Sequence, residues 1–152
     1  MGNINSILQV AQLRAKSLNL GYEGRSILWK PINCRNFHPM QRCKLVDVRT
    51  RAELDWVGCV PGAILVDWAG YPGMKPNPHF IAQLEQQVNK ESLVIFLCRS
   101  GVRSHHAATA ATAAGYTDSF NVIGGFEGDK NPDKRRNTIN GWRVAGLPWE
   151  QG

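Results

Sequence analysis

The segment Cys98-Arg99-Ser100-Gly101-Val102-Arg103-Ser104 gathers the residue types that could create and hold a sulfur anion. The thiolate, not the thiol, is the nucleophilic form of cysteine, and its pKa falls beside guanidinium groups and at helix N-termini. Arg99 and Arg103 bring fixed positive charge to both sides of Gly101. Gly101 admits positive φ, which lets neighbouring backbone N–H groups turn inward and form a concavity for an anion. Cys98 is therefore the expected nucleophile. Arg99, Ser100, Gly101, Val102, Arg103 and Ser104 are the expected substrate-binding residues. A lone cysteine more commonly ends a strand as a small buried apolar group; the Arg-Ser-Gly-Val-Arg context argues against that reading here.

Spacing narrows the chemistry. Cysteine phosphatases separate nucleophile and arginine by a loop long enough to wrap a tetrahedral phosphoryl group. Four residues lie between Cys98 and Arg103, one fewer than that loop needs. The smaller bowl suits a cysteine carrying one extra sulfur, a persulfide, whose terminal atom the N–H groups can surround. Sulfur transfer stands ahead of phosphate hydrolysis on this ground. No activating base is required, because the loop itself lowers the thiol pKa.

The elements around the loop must place it at a sheet edge. Leu93-Val94-Ile95-Phe96-Leu97 is a continuous apolar run and predicts a buried strand over 93–97. The alanine-, threonine- and histidine-rich stretch after the loop predicts a helix over 104–114 that packs directly on the sheet. Cys98 then lies at the C-terminal end of a strand and just before a helix N-terminus, where open α/β sheets bind ligands and where dipoles favour anions. Further strands are expected over 44–48, 63–67 and 120–123. Helices are expected over 4–18, 50–56, 80–88 and 138–145, and an irregular loop over 68–78. Glu53 three positions after Thr50 predicts a capping box. Alternating strands and helices imply an α/β fold with a mostly parallel sheet.

Three motifs and their order resemble the rhodanese family of single-domain sulfurtransferases. Cys98 to Arg103 is similar to that family's Cys-Arg-x-Gly-x-Arg loop. Asp47-Val48-Arg49 with Glu53 resembles its Asp-x-Arg signature, and Gly58-Cys59-Val60-Pro61-Gly62-Ala63 resembles its Gly-His-Ile-Pro-Gly-Ala segment. Asn121-Val122, Gly124-Gly125-Phe126, Gly141-Trp142 and Gly146-Leu147-Pro148 follow in the family's order. Cys59 departs from the family's histidine, a position thought structural. The resemblance spans about 44–149 and implies a rhodanese-like three-layer fold, a central sheet flanked by helices. It also implies thiosulfate sulfurtransferase chemistry. Cys98 would take a sulfane sulfur from a donor such as thiosulfate, and cyanide or a thiol would remove it. Arg103 would hold the donor's sulfonate. Arg49, ending its strand on the same edge, is open to two readings, contact with substrate or an ion pair with Glu53. Asp47 is expected to be a structural hydrogen-bond acceptor. A non-catalytic rhodanese-like module, a cysteine phosphatase and an arsenate reductase are the alternatives.

Composition bounds the rest. The chain has 152 residues and an apolar fraction of 43%, ordinary for one globular domain. The expected division is an N-terminal helical extension over 1–26 and a rhodanese-like domain over 27–152. Residues 27–42 form the least regular stretch. No run approaches the length of a membrane span, and the N-terminus lacks a basic region followed by an apolar core. A reducing, cytoplasmic setting is expected, since Cys98 must stay free. Cys34, Cys43, Cys59 and Cys98 show no close pairing, and adjacent His105 and His106 diverge on a helix, so no metal and no cofactor is expected. Net charge is +6, with Lys130, Lys134, Arg135 and Arg136 clustered. This charge fits a solvated loop that also steers small anions. No aromatic interleaving points to nucleic acid. The expected partners are a small anionic sulfur donor and a thiophilic acceptor, which includes thiols on proteins.

Overall fold

The computed structural model describes residues 43–152 and the backbone of Ser26–Ile27. The expected helix over 4–18 and Cys34 lie outside the described residues. Strand β1 is Ser26–Ile27, β2 Cys43–Asp47, β3 Ile64–Leu65, β4 Ala69–Gly70, β5 Lys75–Pro76, β6 Leu93–Leu97 and β7 Asp118–Val122. Helix α1 is Arg51–Val57, α2 Phe80–Gln87 and α3 Val102–Ala113. The main sheet has the order β1-β7-β6-β2-β3, with every pairing parallel. The fold is α/β with a parallel central sheet flanked by helices, and β1 brings Ser26 as well as Ile27 into that sheet.

The central strand explains the layers. β6 is buried on both faces, so its side chains alternate between two cores. Val94, Phe96 and Cys98 join Phe80, Leu84, Ala107, Ala108 and Ala111 on one face, beneath α2 and α3. Ile95 and Leu97 join Phe120, Val122, Phe126, Trp142 and Leu147 on the other. The alanines of α3 carry no bulk, so the helix lies close against the sheet. Its buried face includes Ser104, a polar group whose burial demands a partner.

Two expectations need correction. No helix forms over 138–145. Instead Asn137 N–H donates to the Glu127 carbonyl, Trp142 N–H to Gly125 and Arg143 N–H to Phe126. These backbone donors are used on a neighbouring segment rather than one turn back along the chain. Trp142, and Leu147 beyond the segment, still enter the second core, while Ile139 and Val144 stay exposed. The loop expected over 68–78 contains the antiparallel pair β4–β5, with Gly73 and Met74 at positive φ in its turn. The remaining elements fall close to expectation. α3 begins at Val102, two residues earlier than predicted, and β3 has two residues rather than five.

The turn after β7 clamps the segment after β6. Phe126 N–H donates to the Cys98 carbonyl at 2.8 Å and Glu127 N–H to the Arg99 carbonyl at 2.9 Å. Gly125, at φ +61, sits so close that a Cβ there would lie 2.6 Å from the Arg99 carbonyl carbon and overlap the Cys98 carbonyl oxygen. Gly125→Ala should therefore cost about 2–4 kcal/mol of stability, since positive φ and a backbone clash both act against it. Urea denaturation with unchanged m-value would measure it; a loss below about 0.5 kcal/mol would contradict the tight approach.

Candidate active site

Cys98 follows β6 directly, at the C-terminal edge of a parallel sheet. It is 1% exposed. Its chain then turns through Gly101, the N-cap of α3, at φ +100. This left-handed conformation is cheap for glycine and costly for other residues. A Cβ at Gly101 would also press within 3.3 Å of the Val122 carbonyl oxygen. The turn aims the Gly101 N–H at Cys98 Sγ, 3.1 Å away. Ser104, one turn into α3, brings its Oγ to 3.2 Å from the same sulfur. The sulfur thus has a backbone donor and a hydroxyl beside it, at the N-terminal end of a twelve-residue helix whose dipole favours negative charge.

The predicted site residues separate into distinct roles. Arg99 is exposed, and Ser100 is half-buried beside it. The Val102 side chain points outward, 64% exposed. Arg103, expected to grip the donor's sulfonate, is committed elsewhere. Its Nη1 and Nη2 donate to Glu53 Oε2 and Oε1 at 2.8 and 2.7 Å. This bidentate pair uses the fork geometry in which arginine binds carboxylates best. Arg103 remains a positive charge felt by Cys98. Burial alone would lower its pKa, and the hydrogen bonds to Glu53 raise it instead.

Arg49 pairs with Asp47 instead of Glu53. Its side chain is fully buried in the sheet edge. Nε lies 3.0 Å from Asp47 Oδ1, Nη2 lies 2.7 Å from Oδ2, and Nη2 also donates to the Gly58 carbonyl. Its guanidinium carbon stacks 4.1 Å from the centre of the Phe126 ring. Asp47 also accepts the Arg49 backbone N–H at 3.1 Å. This pair pins the end of β2 to the turn after α1 and to the second core. It is a structural joint at the end of β2. A cavity of about 330 Å³ opens beside it, lined by Arg49, Arg51, Leu65, Asp67 and Tyr71, and no residue of the loop 98–104 lines it.

Sequence reasoning missed two groups. Glu53 was placed as half of a capping box, which it forms: Thr50 N–H donates to Oε2 at 2.9 Å, and Glu53 N–H donates to Thr50 Oγ1 at 3.3 Å. The same carboxylate also receives Arg103, fifty residues away, a contact with no local signal in the chain. Asn121, on β7, accepts from Ser104 Oγ at 2.6 Å and donates to the Gly101 carbonyl at 3.1 Å. Among the described residues, no group of three His, Cys, Asp or Glu side chains is placed to hold a metal ion.

A family model for the rhodanese-like domain matches residues 26–131. The chain belongs to the rhodanese-like domain family. It resembles the crystal structure of Rv0390 from M. tuberculosis with a TM-score of 0.73 and 39% identity, covering 87% of this chain and all of that one. It is 35% identical over 107 residues to thiosulfate sulfurtransferase 16, chloroplastic, of Arabidopsis thaliana, covering 69% of this chain and 78% of that protein. An uncharacterized protein of Rickettsia conorii is 37% identical over 112 residues, covering 70% of this chain and 81% of that protein. In this rhodanese-like domain the Glu53–Arg103 pair ties the helix after the cysteine loop to α1.

That pair makes stability depend on pH. Burial alone would raise the Glu53 pKa; hydrogen bonds from Arg103 and from Thr50 N–H overcome it and lower the value from 4.5 to about 2. A depressed folded-state pKa stabilises above the unfolded value, and the gain disappears as pH falls through the folded value. Glu53→Gln should cost on the order of 2–3 kcal/mol at pH 7, most of it from an unpaired Arg103. The difference from wild type should narrow between about pH 4.5 and pH 2. Denaturant melts across that range check this; a difference independent of pH would remove the ion pair as its cause.

Proposed function

We propose that this protein is a sulfurtransferase that moves a sulfane sulfur from a small anionic donor such as thiosulfate to a thiophilic acceptor, cyanide or a thiol, through a persulfide on Cys98. The observation that carries this reading is the setting of Cys98 Sγ, with the Gly101 N–H at 3.1 Å, the Ser104 hydroxyl at 3.2 Å and the α3 N-terminus beside it. In the first half-reaction the Cys98 thiolate attacks the outer sulfur of thiosulfate. The sulfur–sulfur bond of the donor breaks, and sulfite leaves with its electron pair. Cys98 then carries an outer sulfur with a negative charge. In the second half-reaction the acceptor attacks that outer sulfur, and the Cys98 thiolate is regenerated. This is covalent catalysis in two steps, which requires ping-pong kinetics.

The chain's own groups serve each step. The Gly101 N–H and the α3 dipole stabilise the negative sulfur, and Arg103 adds positive charge while held by Glu53. Burial of Cys98 restricts the first attack to small donors. The transferred sulfur then extends roughly 2 Å beyond Sγ, a normal sulfur–sulfur bond, towards the surface. Arg99 is the exposed guanidinium of the loop and takes over the sulfonate-binding role first expected of Arg103. The short loop disfavours a phosphoryl group, so aryl phosphate is not a substrate in this reading.

Thiosulfate:cyanide assays test it. Wild type should turn over with parallel double-reciprocal lines, and Cys98→Ser should lose at least about a thousandfold in kcat/KM, the scale for removing a covalent nucleophile. Residual activity near wild type in that variant would sink the assignment. Arg99→Ala should raise KM for thiosulfate with little change in stability. Arg103→Ala should lower the denaturation midpoint as Glu53→Gln does. An exchange of these two signatures would return the donor-binding role to Arg103.

A further inference from the structure

The Ser104 hydroxyl lies between two acceptors and has one proton to give. Its Oγ is 2.6 Å from Asn121 Oδ1 and 3.2 Å from Cys98 Sγ. The orientation of the Asn121 amide follows from its other end, where Nδ2 donates to the Gly101 carbonyl; Oδ1 therefore faces Ser104. Two oxygens 2.6 Å apart hold a proton between them. The hydroxyl thus donates to Asn121 and turns a lone pair to Cys98, and the thiol S–H donates to that lone pair. The hydrogen bonds run in one direction, from Cys98 to Ser104, to Asn121, to the Gly101 carbonyl. Ser104 is 0% and Asn121 5% exposed, so bulk water has little access to substitute for a missing partner.

Ionisation of Cys98 breaks this chain at Ser104. The thiol proton leaves to solvent, and the thiolate can only accept. To serve it, the Ser104 hydroxyl must rotate from Asn121 to the sulfur, and Asn121 Oδ1 is then buried without its donor, which carries a desolvation cost. We propose that Asn121 is a positioning residue that sets the acidity of Cys98 by competing with the thiolate for the Ser104 proton. This deepens the sulfur-transfer reading and rests on it for its catalytic meaning, while the acidity itself is measurable without turnover.

The charged and titratable groups on the loop and on the elements that adjoin it stay the same when Asn121 is replaced by a neutral residue. They are Arg99 in the loop, Arg103, His105 and His106 on α3, Glu53 on α1, Asp47 and Arg49 at the end of β2, and Glu127 after β7. The Gly101 carbonyl also accepts the His105 N–H at 3.2 Å, so losing the Asn121 amide leaves the loop anchored. A neutral variant therefore reports on the hydroxyl.

The experiment is the pH dependence of iodoacetamide alkylation of the full chain, read by mass spectrometry on the peptide that carries Cys98. Asn121→Leu removes the competing acceptor and should lower the midpoint by at least about half a unit, a threefold gain in thiolate below the midpoint. In a Ser104→Ala background the same substitution should leave the midpoint where Ser104→Ala alone puts it. A midpoint that rises or stays in Asn121→Leu, or falls equally in both backgrounds, overturns the proposal. Should Asn121→Leu fail to fold, Asn121→Asp carries the test. Its carboxylate holds the hydroxyl proton more strongly and should raise the midpoint, and the rise should shrink once Ser104 is alanine. An equal rise in both backgrounds shows a field effect alone and overturns the proposal. Failure of the sulfur-transfer reading is separate: wild type would then form no persulfide, whatever its midpoint.

Discussion

The site depends on the backbone clamp between the turn at Gly124-Gly125 and the segment after β6. The carbonyls of Cys98 and Arg99 are held from behind by the N–H groups of Phe126 and Glu127. With those carbonyls fixed, the chain can reverse through Gly101 and direct the Gly101 N–H towards the sulfur. The clamp also ties the site to the second core, because the Phe126 side chain packs there and carries the Arg49 guanidinium on its ring. Backbone groups do not reorient at small cost once paired, so the donors around Cys98 are in place before any substrate arrives. Such preorganisation is the main way proteins stabilise charge that develops during a reaction.

Charge is arranged in two shells with different duties. Arg49–Asp47 and Arg103–Glu53 are paired and largely removed from water. Breaking one partner of such a pair costs more than the pair itself contributes. They therefore serve to hold the ends of β2, α1 and α3 in register. Arg99 is left exposed at the mouth of the loop. In the sulfurtransferase reading proposed above, a fixed cation there meets the anionic donor without dismantling the scaffold. The high net charge of +6 adds attraction at longer range.

Much of this was legible in the chain because the signals were local. The apolar run 93–97 gave β6 at its observed bounds, and Thr50 with Glu53 gave a capping box that forms as expected. The glycine of the loop 98–104 marked a reversal of the chain, and Gly101 lies at φ +100 as the N-cap of α3. What was not legible is pairing at long range. Which carboxylate would take Arg103 depends on how α1 and α3 meet in space, whereas Arg49 is taken by Asp47, only two residues away. Asn121 stood in a family motif, but its contact with Ser104 gave no signal, because an asparagine inside a strand reads as a polar interruption until its neighbour across the layer is known. The helix expected over 138–145 failed for a related reason. Trp142 faces a core, but Ile139 and Val144 are exposed, and the Trp142 and Arg143 N–H groups bond to Gly125 and Phe126 instead of one turn back along the chain.

The central claim is that Cys98 accepts and keeps one sulfur atom. Intact-mass measurement of the full chain after incubation with thiosulfate, followed by removal of excess donor, tests it most directly. The account predicts a stoichiometric gain of one sulfur atom, located on Cys98 by peptide mapping and discharged by cyanide. An unchanged mass, or added sulfur located on Cys34, Cys43 or Cys59 instead, would contradict it.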